Sequence, residues 1–365
     1  MMKLEKITQL LEEWAPLDYA EDFDNVGLLI GNKNDEITGI LIAHDCLSEV
    51  IDEAIEKKCN LVVSFHPIIF KGLQKLSGTT YVEKAVRKAI KNDICIYAIH
   101  TALDNQYYGV SFSLSQALGL HNSSTLLPKE KTIQKLNFYV PKKHAKKVQN
   151  ALFAVGGGRM GHYDECSFIS EGIGSFRALD KSNPYVGKQG ERHHEKEVQI
   201  QMVYQKHLES KVIDTLISNH PYEAVAYDIT SLSNTNQNLG MGKIGRLPKP
   251  MPTDEFLHFV KTRLGTPTIR HSKSGPKIIE NVAVLGGSGS FAIQAAKRKQ
   301  ADAYITADLK YHDFYQGDNN FLLIDAGHYE TEQYTKKLIR DHLTEKLPNF
   351  AILLSAVDTN PINYM

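Results

Sequence analysis

The chain has 365 residues, enough for two domains of ordinary size, and its 42 Lys and Arg balance its 42 Asp and Glu at a formal net charge of zero. That balance argues against a protein whose chief partner is nucleic acid, because phosphate recognition draws on clustered positive charge. Apolar content of 42% with 23% charged residues excludes general disorder, and no apolar run is long enough for a membrane-spanning helix.

The N-terminus, Met1-Met2-Lys3-Leu4-Glu5-Lys6, opens a charged amphipathic stretch rather than an apolar signal core, so a cytoplasmic location is expected. Residues 4–14 place apolar side chains at helical spacing. Residues 38–43 make a short apolar strand, and Ser48 reads as the N-cap of a helix through Lys58. Strand 61–65, helix 81–91 and strand 94–99 continue the alternation. Short apolar strands between amphipathic helices predict a mostly parallel sheet covered by helices.

From about 130 to 245 the grammar changes. Strand 136–140, helix 143–153, strand 166–170, a polar loop over 180–196, strand 197–204, helix 207–217 and strand 223–230 give β-α-β-β-α-β in outline. That is the split-βαβ pattern of a ferredoxin-like domain. Pro128-Lys129-Glu130-Lys131 and Gly240-Met241-Gly242 read as its hinges. Strands at 281–285, 302–306, 321–325 and 350–355, with a helix near 331–345, then return to the first pattern. The fold class expected is α/β, interrupted by an inserted ferredoxin-like α+β domain: 1–129 plus 246–365 form a discontinuous domain, and 130–245 the insert. The four cysteines (Cys46, Cys59, Cys95, Cys166) contain no CxxC pair and read as free thiols.

Ligands of parallel sheets bind beyond the carboxyl ends of the strands. Those ends deliver His44-Asp45, His66-Pro67, His100 with Asp104, Gly287-Ser288-Gly289, then Asp308, Lys310 and His312, then Asp325, His328 and Glu332, and last Asp358. A single histidine at a strand end is ordinarily a hydrogen-bonder. Histidine and carboxylate from several strand ends at one rim are costly to bury without a cation. The nitrogen and oxygen donors suit zinc, manganese or iron(II), and a bridging carboxylate would suit two-metal hydrolysis. Gly287-x-Gly289-x-x-Ala292 has the outline of a dinucleotide fingerprint; the milder reading is that the amides of Gly287, Ser288 and Gly289 hold a phosphate or carboxylate. Lys310 and His312 either orient a phosphate, act as general acid or base, or stand on the surface.

Across essentially its whole length the sequence resembles the Nif-three-like dinuclear-metal proteins, often called GTP cyclohydrolase 1 type 2 homologs, in their longer bacterial form. The resemblance rests on Phe23-Asp24-Asn25-Val26-Gly27-Leu28, on Ser64-Phe65-His66-Pro67 against a His-His-Pro motif, and on His100-Thr101-Ala102-Leu103-Asp104. It continues in Gly286-Gly287-Ser288-Gly289 and in Asp325 through Glu332. In the middle it rests on Gly172-Ile173-Gly174-Ser175-Phe176-Arg177, Asn183-Pro184 and His220-Pro221-Tyr222-Glu223.

The resemblance implies metal ligands at His66, Asp104, His328 and Glu332, with Asp104 or Glu332 bridging two ions. His100 falls where the family keeps a further histidine near the metals, and Glu330 is the alternative to Glu332. Phe65 departs from the pattern, since phenylalanine cannot ligate. Either one ion binds, or another side chain substitutes; His44 is the candidate, the alternative being that it makes a local hydrogen bond. The implied function is a metal-dependent hydrolase of a small, phosphorylated or nucleotide substrate, with metal-bound water as nucleophile; by their position, His100, His312 and Lys310 are the candidate assisting groups. The alternative is a non-catalytic metal-binding regulator or metal chaperone built as a hexameric ring. A homohexamer with one or two divalent ions per chain is the expected assembly. A third reading, an NAD-dependent enzyme, has no hydride-transfer constellation to accompany the glycines.

Overall fold

A computed structural model describes residues 1–365. The chain divides into two compact units, Met1–Pro128 with Gln237–Met365, and Lys129–Asn236. No helix is long and apolar enough to cross a membrane.

The first unit is α/β, and its strands divide between two main sheets rather than joining one. In the first sheet, strands run in the order Ile352–Leu354, Ile40–Ala43, Leu61–Ser64, Cys95–Ala98, Gly27–Ile30. All neighbours are parallel except the last pair. Every residue of the three central strands is buried, so their uninterrupted apolar runs fit a sheet covered on both faces. The period of two sorts the side chains. Ile40, Ile42, Leu61, Val63 and Tyr97 pack with Leu4, Ile7 and Leu11 of the helix Leu4–Trp14 and with Ile339 and Leu343 of Thr335–Lys346. Leu41, Ala43, Val62 and Ile96 face Val50, Ile51 and Ala54 of Ser48–Glu56 and Ala85, Val86 and Ala89 of Tyr81–Lys91. Leu47, not Ser48, holds the N-cap position of that third helix, without a side-chain cap bond. Thr80 caps the fourth by accepting from the Glu83 amide at 3.2 Å.

The second sheet runs Arg270–His271, Leu322–Asp325, Ala303–Ala307, Ile278–Ser288, Asn236–Pro252, His121–Lys129. Its three middle members after the edge, Leu322–Asp325, Ala303–Ala307 and Ile278–Ser288, are parallel. Gly240 and Gly242, expected as a hinge, lie inside the strand Asn236–Pro252. A side chain at Gly240 (φ +138°) would strike the Leu127 carbonyl at 2.0 Å, so glycine there serves the close approach of two strands.

The second unit forms one antiparallel sheet, ordered Tyr227–Leu232, Ile133–Pro141, Arg192–Gln205, Phe168–Arg177. Two helices, Ala145–Ala154 and Glu209–Asn219, contribute Val148, Leu152, Val212 and Leu216 to a core with Leu136, Phe138, Val198 and Ile200. The polar stretch expected as loop through 196 is already strand from Arg192, where alternation matters more than mean polarity.

Lys243 is an oddity of the first unit. It is 1% exposed, with Nζ 3.4 Å from the centre of the Tyr107 ring and 3.3 Å from Thr125 Oγ1. Neither neighbour is an anion, and burial pushes the ammonium down to about 7. Above that pH the folded chain holds the neutral amine, while the unfolded chain keeps its proton up to about pH 10, so stability rises with pH across this window. Below about pH 7 both states are charged and the burial penalty is felt in full. Lys243→Met should therefore raise stability at pH 7 by about 1–3 kcal/mol and flatten the alkaline rise. Urea unfolding of both proteins through the neutral-to-alkaline range measures this; equal pH slopes would contradict it.

Candidate metal centre

The centre lies in the first unit and is built from strand ends. Ile40–Ala43 leads into His44 and Asp45, Leu61–Ser64 into Phe65 and His66, and Cys95–Ala98 into Ile99 and His100. From the second sheet, Ala303–Ala307 leads into Asp308, and Leu322–Asp325 into the short helix His328–Glu332. Two of these junctions carry left-handed backbone at non-glycine residues, His100 (φ 22°) and Asp308 (φ 57°), conformations that cost free energy and persist where the surroundings impose them.

Three imidazoles converge on one oxygen. Glu332 Oε2 lies 3.4 Å from His44 Nε2, 3.3 Å from His66 Nε2 and 3.2 Å from His328 Nε2. The other ring nitrogen of each histidine is held from behind. His44 Nδ1 is 3.1 Å from Thr335 Oγ1, His66 Nδ1 is 2.8 Å from Asp45 Oδ1, and His328 Nδ1 is 2.7 Å from Asp308 Oδ2. His100 follows the same rule, with Nδ1 2.8 Å from Asp24 Oδ1. Fixing Nδ1 orients the ring and leaves Nε2 as the free donor, the arrangement that metal-binding histidines use.

Charge tells the same story. Burial opposes the protonated form of His66, but Asp45 and Glu332 prevail and hold its ring up to about 9. His328 is likewise held up to about 11, against its burial, by Asp308 and Glu332. Burial alone would raise Glu332; His328, His44 and His66 instead hold it well below the usual carboxylate range. Asp104 goes the other way, pushed well up by burial and then by the negative Glu332. Two carboxylates this close cannot both ionise cheaply without added positive charge.

A divalent cation fits this set. Glu332 Oε2 is buried and has no partner in hydrogen-bond geometry, although three nitrogens stand around it. His66, His328 and Glu332 offer donor atoms all within 4.8 Å of one another, and His44, Asp45 and His66 form a second such group. The absence of thiolate from both groups suits zinc, manganese or iron in a reactive site better than a closed structural zinc.

The expected ligands His66, His328, Glu332 and His44 thus meet at one place. Asp104 lines a 340 Å³ cavity together with His100, His328 and Glu332. His44 makes a hydrogen bond through Nδ1 to Thr335 Oγ1, while its Nε2 faces Glu332 Oε2. Phe65 is fully buried, its ring centre 5.5 Å from His44 and 4.9 Å from His66, and it walls the centre with carbon. Glu330 does not compete with Glu332: its Oε2 lies where a side chain on Gly327 would be, beside Tyr364.

The glycine loop corrects an expectation. The Gly287 amide, expected to hold an anion, donates to Thr331 Oγ1 at 3.0 Å. A side chain at Gly287 (φ +66°) would strike Glu332 Oε1 at 2.1 Å, and one at Gly289 would strike Thr306 Oγ1 at 2.2 Å. Glycine at 287 lets the backbone press against the Glu332 carboxylate; Gly286 and Ser288 line the 340 Å³ cavity. Lys310 and His312 are exposed on the turn after Asp308, where His312 packs on Tyr311 and Tyr315, and neither lines the cavities that open on the centre. Their surface placement is the alternative observed. The sequence reading missed the roles of Asp24, Asp45, Asp308 and Thr335 as holders of Nδ1. An aspartate one or two residues past a neighbouring strand was the available signal for Asp45 and Asp308.

An 890 Å³ cavity opens over the centre, lined by Asp45, His66, His100 and His328 and rimmed by Lys71 and Lys75.

Comparison with known proteins agrees with this architecture. A Bacillus subtilis (strain 168) protein named GTP cyclohydrolase 1 type 2 homolog is 38% identical over 371 residues, covering 99% of this chain and 98% of its own. A namesake from Halalkalibacterium halodurans is 36% identical over 364 residues, with 98% of each chain covered. The crystal structure of a Bacillus cereus protein related to NIF3 superposes with a TM-score of 0.85 at 35% identity, covering 100% of this chain and 99% of that one. The profile of the Duf34/NIF3 (NGG1p interacting factor 3) family matches residues 2–361, and the chain belongs to that family.

Proposed function

We propose that the protein is a metal-dependent hydrolase of a small phosphorylated substrate, of nucleotide size or below. The observation that carries this reading is the convergence of three back-held imidazoles on Glu332, two of which, His66 and His328, also line an 890 Å³ cavity with lysines at its rim. The name of its curated relatives, GTP cyclohydrolase 1 type 2 homolog, supports a nucleotide as the first substrate to try.

His66, His328 and Glu332 would hold the ion, with His44 and Asp104 beside them. When bound, a divalent ion supplies an electrophile and acidifies water at neutral pH. The chain's own groups do the rest. Asp45, Asp308 and Thr335 keep each Nε2 aimed inward. His100, anchored to Asp24 by Nδ1, turns Nε2 toward the cavity as the proton carrier. Lys71 and Lys75 attract a phosphate to the mouth. Phe65 keeps one wall of the centre dry.

Turnover of a panel of nucleotides and phosphate esters, with manganese, zinc or iron added, tests the reading. Activity that disappears in His328→Ala supports it; a metal-loaded protein inert across the whole panel overturns it. Lys71→Ala with Lys75→Ala should raise KM for a phosphorylated substrate roughly tenfold with kcat little changed, because the lysines bind substrate and transition state alike. A fall in kcat alone would contradict that assignment.

A further inference from the structure

Three sequence segments left unused by the metal centre, Gly172–Arg177, Asn183-Pro184 and His220–Glu223, meet at one place in the second unit. They border a 400 Å³ cavity, a volume within the range of small-molecule sites. Its walls are aromatic: the Tyr222 ring centre is 6.1 Å from that of Phe176 and 6.2 Å from that of Tyr185, and Tyr139 adds a further face. Its charged lining groups are two carboxylates, Glu197 and Glu223.

Each part is held in position. The Tyr222 hydroxyl donates to Glu197 Oε1 at 2.8 Å, and Glu197 Oε2 occupies the space that a side chain on Gly174 would take, at 2.0 Å. Glycine at 174 therefore admits the carboxylate to the cavity. Glu223 Oε1 accepts from the Asn183 amide at 3.0 Å, which ties the Asn183–Tyr185 segment to the wall. His220, 8% exposed, accepts from the Tyr222 amide through Nδ1 at 3.1 Å, and its Nε2 donates to the Tyr139 carbonyl at 2.9 Å. That places both tyrosines from behind.

We propose that this cavity binds a small organic cation, an ammonium or guanidinium group on an apolar body. Ring faces and a carboxylate attract a cation together, the faces through their quadrupoles and Glu197 by charge. An anion would meet two carboxylates, and a neutral apolar ligand would leave Glu197 without a counter-charge. Lys143 already uses one of these rings in this way, with Nζ 5.0 Å from the centre of Tyr185. His144 Nε2 is 3.0 Å from the Tyr185 hydroxyl.

The test is calorimetric titration of the full chain with choline, with agmatine, and with 3,3-dimethylbutan-1-ol, the uncharged carbon isostere of choline. Expected are binding of at least one cation in the sub-millimolar range and binding of the isostere at least tenfold weaker. Glu197→Gln keeps shape and should weaken the cation at least tenfold, and Tyr185→Leu, at the exposed rim, should do so severalfold with the fold intact by circular dichroism. Absence of binding by both cations, equal binding of the isostere, or an unchanged affinity in Glu197→Gln would each overturn the proposal.

Discussion

Glu332→Gln should lower the affinity for a divalent ion by about 100-fold or more, a larger loss than any other single substitution in the centre. Glu332 is the one group that all three imidazoles face, and it is 3% exposed. The amide keeps the shape but not the charge, so a bound ion would lose an anionic donor. His66 and His328 also lose the partner that helps hold them protonated in the metal-free protein. Stability without metal should fall by about 3 kcal/mol for the same reason. Metal titration of wild type and variant, beside urea melts with chelator present, reads both effects. An affinity within threefold of wild type would remove Glu332 from the ligand set.

The second large effect is expected at Gly287. Its φ of +66° is a left-handed conformation that alanine adopts at a cost of about 1 kcal/mol, and the added carbon would strike Glu332 Oε1 at 2.1 Å. Glu332 is 3% exposed, so its side chain has little open space into which to retreat. Gly287→Ala should therefore lower stability by about 2–4 kcal/mol and strongly reduce metal uptake, although residue 287 offers no ligand atom. Gly265→Ala, also left-handed (φ +63°) but with open space around it, is the control. It should cost only the conformational part and leave metal uptake unchanged. Equal behaviour of the two variants would show that backbone conformation, and not contact with Glu332, is what matters at 287.

Much of this centre was legible because it is assembled at strand ends. An apolar run of four or five residues followed by His or Asp marks both the strand and the donor, as at Ile40–His44, Leu61–His66 and Leu322–His328. What could not be read were relations across strands. Nothing near His66 in sequence says that Asp45, one strand away, will hold its Nδ1, or that Asp308 will do so for His328. At Gly287 the same residue type serves a free amide or a close contact, and only the position of Thr331 Oγ1 shows that this amide is taken. Gly240 and Gly242 misled similarly, since a tight strand crossing and a hinge both call for glycine. The division of the first unit into two sheets was hidden because local alternation of strand and helix does not specify which strands pair.

Metal per chain, measured by elemental analysis on untagged protein, tests the central claim most directly. The arrangement of His44, His66, His328 and Glu332 predicts at least one divalent ion per chain, lost in Glu332→Gln. A chain that takes up no ion, even after reconstitution with manganese, iron and zinc, would contradict the account at its root.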